Sequence, residues 1–155
     1  MKKLVLAAVA AVCMASSAFA SEWIEVKKSV VLDAKPSAVW ALVGSFNGIE
    51  RWHPAVKESR QMGDVRALYL GDGGVIFDQL LEAKEAEHSY RYIVISAPLP
   101  IQDYEGVVEV KSRGKKSEVV WRSRFQANGV TDTEAFELVS GIYQAGMDEL
   151  AKIYN

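Results

Sequence analysis

Three side chains in this 155-residue sequence stand where proton chemistry or ligand anchoring could occur: His53, Asp78 and Tyr104. His53 lies in the segment Trp52-His53-Pro54, and a lone imidazole can act as a general acid or base near neutral pH. Asp78 alternates with Ile76 and Leu80, so an inward-facing carboxylate there is desolvated and must be paired, hydrogen-bonded or protonated. Such a group suits the anchoring of a ligand hydroxyl or general acid–base work. Its plainer reading is a structural hydrogen bond to Tyr104 or Arg66, or a register that turns it to solvent. Tyr104 adds a phenol. These three catalytic candidates are few and scattered, so an enzyme is the less favoured reading.

Other chemistries find little support. His88 sits in the charged turn Glu87-His88-Ser89 and reads as solvated. The two histidines are far apart in sequence and the one cysteine is Cys13, so no metal site is expected. There is no G-x-S-x-G elbow, glycine-rich phosphate loop or H-E-x-x-H helix, and no cofactor is expected.

The elements that would position these groups follow from periodicity. Ile24 to Leu32 is rich in β-branched residues and predicts a strand. Asp33-Ala34-Lys35-Pro36 ends it and starts a helix carrying Val39, Trp40, Leu42, Val43 and Phe46, which Asn47-Gly48 terminates. A second short helical turn, Ile49 to Trp52, stops at Pro54. From there the period is two, and strands are predicted over 56–62, 65–70, 75–83, 90–97, 104–113 and 117–127. Short turns such as Gly63-Asp64 and Gly114-Lys115-Lys116 favour an antiparallel meander. Thr131 to Asn155 closes the chain as a long helix, with Thr131 and Glu134 placed for a capping box. Its apolar face, which includes Phe136, Leu138, Ile142 and Ile153, spans roughly 200°, wider than a surface helix needs. A curved sheet covers such a face. Gly146 lies within it and predicts a gap.

Met1 to Ala20 has the physical parts of a secretory signal: Lys2 and Lys3, an apolar core, and Ala18-Phe19-Ala20 for cleavage after Ala20. The apolar run is short for a membrane span, which needs ~20 residues, so no stable membrane insertion is expected. Val12 before Cys13 does not suit lipid attachment. Residues 21–155 then form one domain without cysteine, periplasmic or secreted. Loss of Lys2 and Lys3 takes the net charge from −2 to −4, which argues against a nucleic-acid partner.

Several markers in order carry a resemblance: Asp33-Ala34-Lys35-Pro36 with Val39-Trp40, Trp52-His53-Pro54, Gly63-Asp64-Val65-Arg66, Leu99-Pro100 with Tyr104, Trp121, and Leu150-Ala151. The sequence resembles the START/Bet v 1-like superfamily of polyketide cyclases, dehydrases and lipid-transport proteins. Its flavour is similar to the bacterial branch near the plant abscisic-acid receptors, and to periplasmic accessory proteins of bacterial methanol oxidation. The resemblance implies an α+β helix-grip fold: a seven-stranded curved antiparallel sheet around the C-terminal helix, with two short helices after the first strand. It also implies a cavity for a small hydrophobic molecule, lipid-, polyketide- or isoprenoid-like, and a possible periplasmic protein partner.

Matching the strands to the family places Leu68, Leu70, Ile76, Asp78, Leu80, Tyr92, Val94, Tyr104, Gly106, Trp121 and Phe125 inward. Leu138, Ile142 and Gly146 face them from the helix, and Trp52 and Leu99 stand near the mouth. The loops 71–74 and 97–101 correspond to the family's guards of that mouth. Trp52 occupies the position where the plant receptors carry a lysine for a carboxylate, so a neutral ligand is expected. The rival functions are a cyclase or dehydratase acting on a polyketide-like substrate, and an accessory protein of a periplasmic oxidoreductase such as methanol dehydrogenase.

Overall fold

The structure, a computed structural model, describes residues 22–155. The expected signal segment lies outside the described residues. Strands β1 (Ile24–Leu32), β2 (Val56–Met62), β3 (Val65–Leu70), β4 (Val75–Lys84), β5 (Ser89–Ser96), β6 (Ile101–Arg113) and β7 (Lys116–Ala127) form one antiparallel sheet in the order β1-β7-β6-β5-β4-β3-β2. The meander from β2 to β7 follows from its short turns. The first strand closes on the last because the elbow after β1 carries the chain across the sheet.

That elbow holds helix α1 (Pro36–Val43) and a 3-10 turn, Phe46–Arg51. Here the structure corrects the sequence expectation. The first helix stops at Val43, and Asn47-Gly48 lies within the second turn. Val39, Trp40, Val43, Phe46 and Ile49 are buried across both pieces, so the core holds the elbow whatever the local stop signal says. β6 likewise begins at Ile101, three residues earlier than its alternation suggested, because a bulge at Asp103 (φ 52°) interrupts the period.

Helix α2 (Asp132–Tyr154) packs across the sheet's inner face, and among described elements it is most in touch with β1. Thr131 and Glu134 form the expected capping box: the Glu134 backbone N–H donates to Thr131 Oγ1, and the Thr131 N–H donates to the Glu134 carboxylate. The buried face, however, is narrower than predicted. It runs Ala135, Val139, Tyr143, Gly146, Met147, Leu150, while Phe136, Leu138 and Ile153 are exposed. The helix grips the core through a stripe of four- and three-residue steps and shows part of its apolar surface to solvent.

Candidate functional site

Between the sheet and α2 lies a cavity of about 120 Å³ whose surface is almost wholly carbon. The aliphatic wall comes from Leu68, Leu70, Ile76 and Val94 on three neighbouring strands, with Leu99 and Ile101 at the mouth and Ile142 opposite on the helix. Alternation explains this: β3 and β4 pair Leu68 with Ile76, and β4 and β5 pair Asp78 with Val94, so these side chains share the inner face. At the mouth the two expected guard loops touch. A Cβ built on Gly74 would lie 3.0 Å from Pro98 Cγ, so the missing side chain is what lets the proline ring close down.

Two polar clusters are set into the apolar wall. The first is an ion pair on adjacent strands, where Arg66 stands directly across from Asp78. Arg66 Nε and Nη2 donate to Asp78 Oδ2 at 2.9 and 2.8 Å, and Nη1 donates to the Phe46 carbonyl. The guanidinium lies 3.9 Å from the Phe46 ring centroid, and both charged side chains are almost fully buried. Burial pushes the Asp78 carboxyl up, opposed by the Arg66 charge, and Asp78 Oδ1 has no hydrogen-bond partner. The partner proposed from sequence, Arg66 or Tyr104, is thus Arg66. Its inward side was already implied by β3, since Leu68 and Leu70 fix the parity for residue 66.

The second cluster is a chain of neutral aromatics. Trp121 Nε1 donates to Tyr92 Oη at 2.9 Å, the hydroxyls of Tyr92 and Tyr104 lie 2.9 Å apart, and Tyr104 is bonded in turn to Tyr143. Trp121 stacks on Tyr143 with ring centroids 4.0 Å apart and planes within 13°, which fixes both rings. Burial raises the pKa of all three phenols well above its ordinary value, so each keeps its hydrogen. Sequence alternation found Tyr92, Tyr104 and Trp121. It missed Tyr143, whose signal was the four-residue step from Val139.

His53 lines the cavity and is buried, with both ring nitrogens engaged. Nε2 lies 2.8 Å from the Ile142 carbonyl, and Nδ1 accepts from the Ala55 N–H at 3.2 Å. These partners place the single hydrogen of the neutral ring on Nε2. Desolvation lowers its pKa from the ordinary 6.5, with the Ile142 bond opposing. The imidazole therefore braces helix against elbow and holds no spare lone pair for a substrate.

Several residues expected at the cavity stand elsewhere. Leu138 is 37% exposed, and its neighbour Val139 takes the inward position beside Ile142, because the buried stripe of the helix runs through Val139 and Tyr143 and leaves Leu138 at its edge. Gly146 makes no gap: an added Cβ would lie 3.0 Å from His53, 3.2 Å from Trp52 and 3.3 Å from Trp121. Glycine is there because three rings close on the helix backbone. Gly106 has the same explanation, since a Cβ would lie 2.6 Å from the Tyr92 ring. Trp52, fully buried, belongs to this packed end, while Phe125, also fully buried, stacks on Tyr104 and does not line the cavity. Leu80 packs against the core without reaching the cavity; it pairs with Tyr92 on β5, just before a bulge on β4. Among the described residues no cluster of metal-ligating side chains occurs, and no described helix is long and apolar enough to cross a membrane.

Comparisons with known proteins agree with this architecture. The family described as polyketide cyclase / dehydrase and lipid transport matches residues 24–154. No curated protein gives a significant match. Among solved structures, the protein XoxI from Bacillus cereus is 31% identical, with a TM-score of 0.82 over 84% of this chain and 95% of that one. The Zhui aromatase/cyclase from Streptomyces sp. R1128 is 15% identical, with a TM-score of 0.69 over 84% and 93% of the two chains. A START superfamily protein from Mycobacterium smegmatis, 15% identical, gives 0.64 over 83% and 92%. The last two show the shared helix-grip fold alone. Family and fold together indicate hydrophobic-ligand binding or a cyclase-like activity. With its seven-stranded sheet, gripped C-terminal helix and near-complete match, this chain belongs to the polyketide cyclase / dehydrase and lipid transport family.

Proposed function

We propose that this protein binds a small, neutral, hydrophobic molecule between its sheet and its C-terminal helix, and that it does so in the periplasm or outside the cell after cleavage behind Ala20. The observation that carries the reading is the cavity, with its carbon surface and with Arg66, Asp78 and the tyrosines of its wall bonded to one another, Asp78 Oδ1 excepted. Its size sets the ligand's size. At about 120 Å³ it is close to the ~150 Å³ apolar cavity that stays dry and takes benzene or xenon. One ring, or a short branched chain of isoprenoid type, fills it as the guard loops stand. A longer lipid or polyketide requires Gly74 and Pro98 to part.

Binding without chemistry is favoured over catalysis by the state of the three candidate groups. His53 has both nitrogens occupied, Asp78 is paired with Arg66, and Tyr104 lies inside a hydrogen-bonded chain with its pKa raised. The driving force is removal of apolar surface from water, roughly 25 cal/mol per Å². Titration of the protein with toluene, followed by amide and methyl NMR shifts, tests the reading. Saturable shifts centred on Leu68, Ile76, Val94 and Ile142 are expected. Shifts confined to the exposed residues Phe136 and Leu138 would place binding on the surface and sink the proposal.

A further inference from the structure

We infer that His53 makes the cavity's hold on its guest sensitive to pH: a protonated imidazole pushes off the Ala55 turn, opens the mouth beside loop 71–74 and lets the guest go. The inference rests on the cavity being a ligand site, and it names how that site is regulated.

The two ring nitrogens are held by backbone groups of opposite kind. The Ala55 N–H can only donate, so Nδ1 keeps a lone pair towards it at 3.2 Å. The Ile142 carbonyl can only accept, so Nε2 carries the hydrogen across 2.8 Å. A second proton has one place to go, Nδ1, and there it sets N–H against N–H. The bond to α2 survives, since a charged ring donates from Nε2 more strongly than a neutral one. The ring therefore stays with the helix, and the Ala55 turn must yield. It is able to: Pro54 and Ala55 are exposed, whereas His53 is 3% exposed. By turning outwards, the freed Ala55 N–H reaches water.

That turn carries the mouth. Ala55 lines the cavity, and its carbonyl accepts at 3.1 Å from the N–H of Gly71, the first residue of loop 71–74. The far end of the loop, Gly74, is the residue that lies against Pro98. Movement of Ala55 thus reaches a guard loop through a single hydrogen bond. The new charge acts in the same direction, because an imidazolium on an apolar wall needs water, and water displaces an apolar guest. Other titratable groups surround the site without bonding to the imidazole. In the cavity wall Arg66 and Asp78 are paired with each other, and Tyr92, Tyr104 and Tyr143 stay neutral. Glu50 and Arg51 precede His53 on its own turn, and Asp148 and Glu149 follow Gly146 on α2. What shifts the ring is burial, which lowers its pKa against the Ile142 bond. Proton and guest compete, so by linkage the guest must lower the His53 pKa as much as the proton weakens the guest.

Toluene affinity of the whole protein, measured by NMR from pH 7.5 to pH 4.5 with the His53 ring signals followed in the same samples, makes the test. As His53 takes its proton the affinity should fall, by up to about tenfold per pH unit below the folded pKa, the limit for one proton. Toluene should in turn lower the pKa read from the ring. The Gly71 amide should lose protection from exchange as the ring titrates. In His53→Gln the affinity should be flat over the same range. The linked shift in the unaltered protein stands by itself should that variant fold poorly. An equal His53 pKa with and without toluene, or a Gly71 amide that stays protected, would overturn the inference while leaving the cavity a binding site. A pH dependence that survives His53→Gln would give the role to another group, such as Asp78, and also overturn it. Failure of toluene to bind at pH 7.5 would remove the binding proposal itself, and this inference with it.

Discussion

The two ends of the space between sheet and helix are built on opposite principles. At one end Trp52, His53 and Trp121 close on Gly146, with contacts at 3.0–3.3 Å to where a side chain would begin. At the other, the helix presents Val139 and Ile142 to aliphatic walls that do not meet, and about 120 Å³ stays open. Large flat rings fill the first end, and His53 ties it to the helix through the Ile142 carbonyl. Branched side chains line much of the second, with a buried ion pair in the wall and His53, Tyr104, Trp121 and Tyr143 bounding it toward the first. The contrast shows how one helix can be gripped hard enough to fold and still leave room for a guest. The packed end supplies the grip, so the open end need not be filled.

Substitutions at either end should break this contrast in different ways. The largest loss is expected from Asp78→Leu, which strands the Arg66 charge in the apolar wall. Removing one partner of a buried pair costs about 3–5 kcal/mol, and denaturant unfolding should show it. Removing both with Arg66→Met and Asp78→Leu together should recover most of that loss, because the cost lies in the unpaired charge. Gly146→Leu comes next. Forcing a side chain among three rings should cost about 1–3 kcal/mol or more and lower Tm, despite the better helix propensity of leucine. A neutral result would mean that the two ends are alike.

His53 gives a pH signature to the packed end. Its folded pKa is lowered from 6.5, so the unfolded chain takes up a proton before the folded one does. Its contribution is complete above pH 6.5 and is lost as pH falls towards the folded value. Within that window stability should decline by about 1.4 kcal/mol per pH unit, the slope for one proton. Urea unfolding across pH 5 to 7.5, repeated on His53→Gln, should show the slope from this site vanish in the variant. The smallest effect is expected at Leu138→Gln. Because Leu138 points to solvent, stability should change by no more than about 0.5 kcal/mol and toluene binding should be unaltered. Lost binding there would restore the helix phase expected from sequence.

Strand positions were legible in the sequence because a half-buried strand writes its burial with period two. β1, β2 and β3 lie where alternation and turn residues put them. The helix phase was harder to read. Phe136, Leu138 and Ile153 widened the apolar face, and hydrophobicity alone did not show which part of that face would be buried. Gly146 and Gly106 misled for a physical reason: an absent side chain marks a cavity or a close approach equally well, and only the neighbouring rings decide. The ion pair was half visible through Asp78, and strand parity pointed to Arg66. The phenol chain was not visible as a chain, since it joins β5, β6, β7 and α2, and no local pattern links residues so distant.

The central claim is that the open end is a site for a small hydrophobic guest, and a crystal of the protein pressurised with xenon tests it most directly. The account predicts a single strong xenon peak bounded by Leu68, Ile76, Val94 and Ile142, with Trp52, Trp121 and Gly146 unmoved. Side chains found collapsed into that space, with no xenon bound, would contradict it.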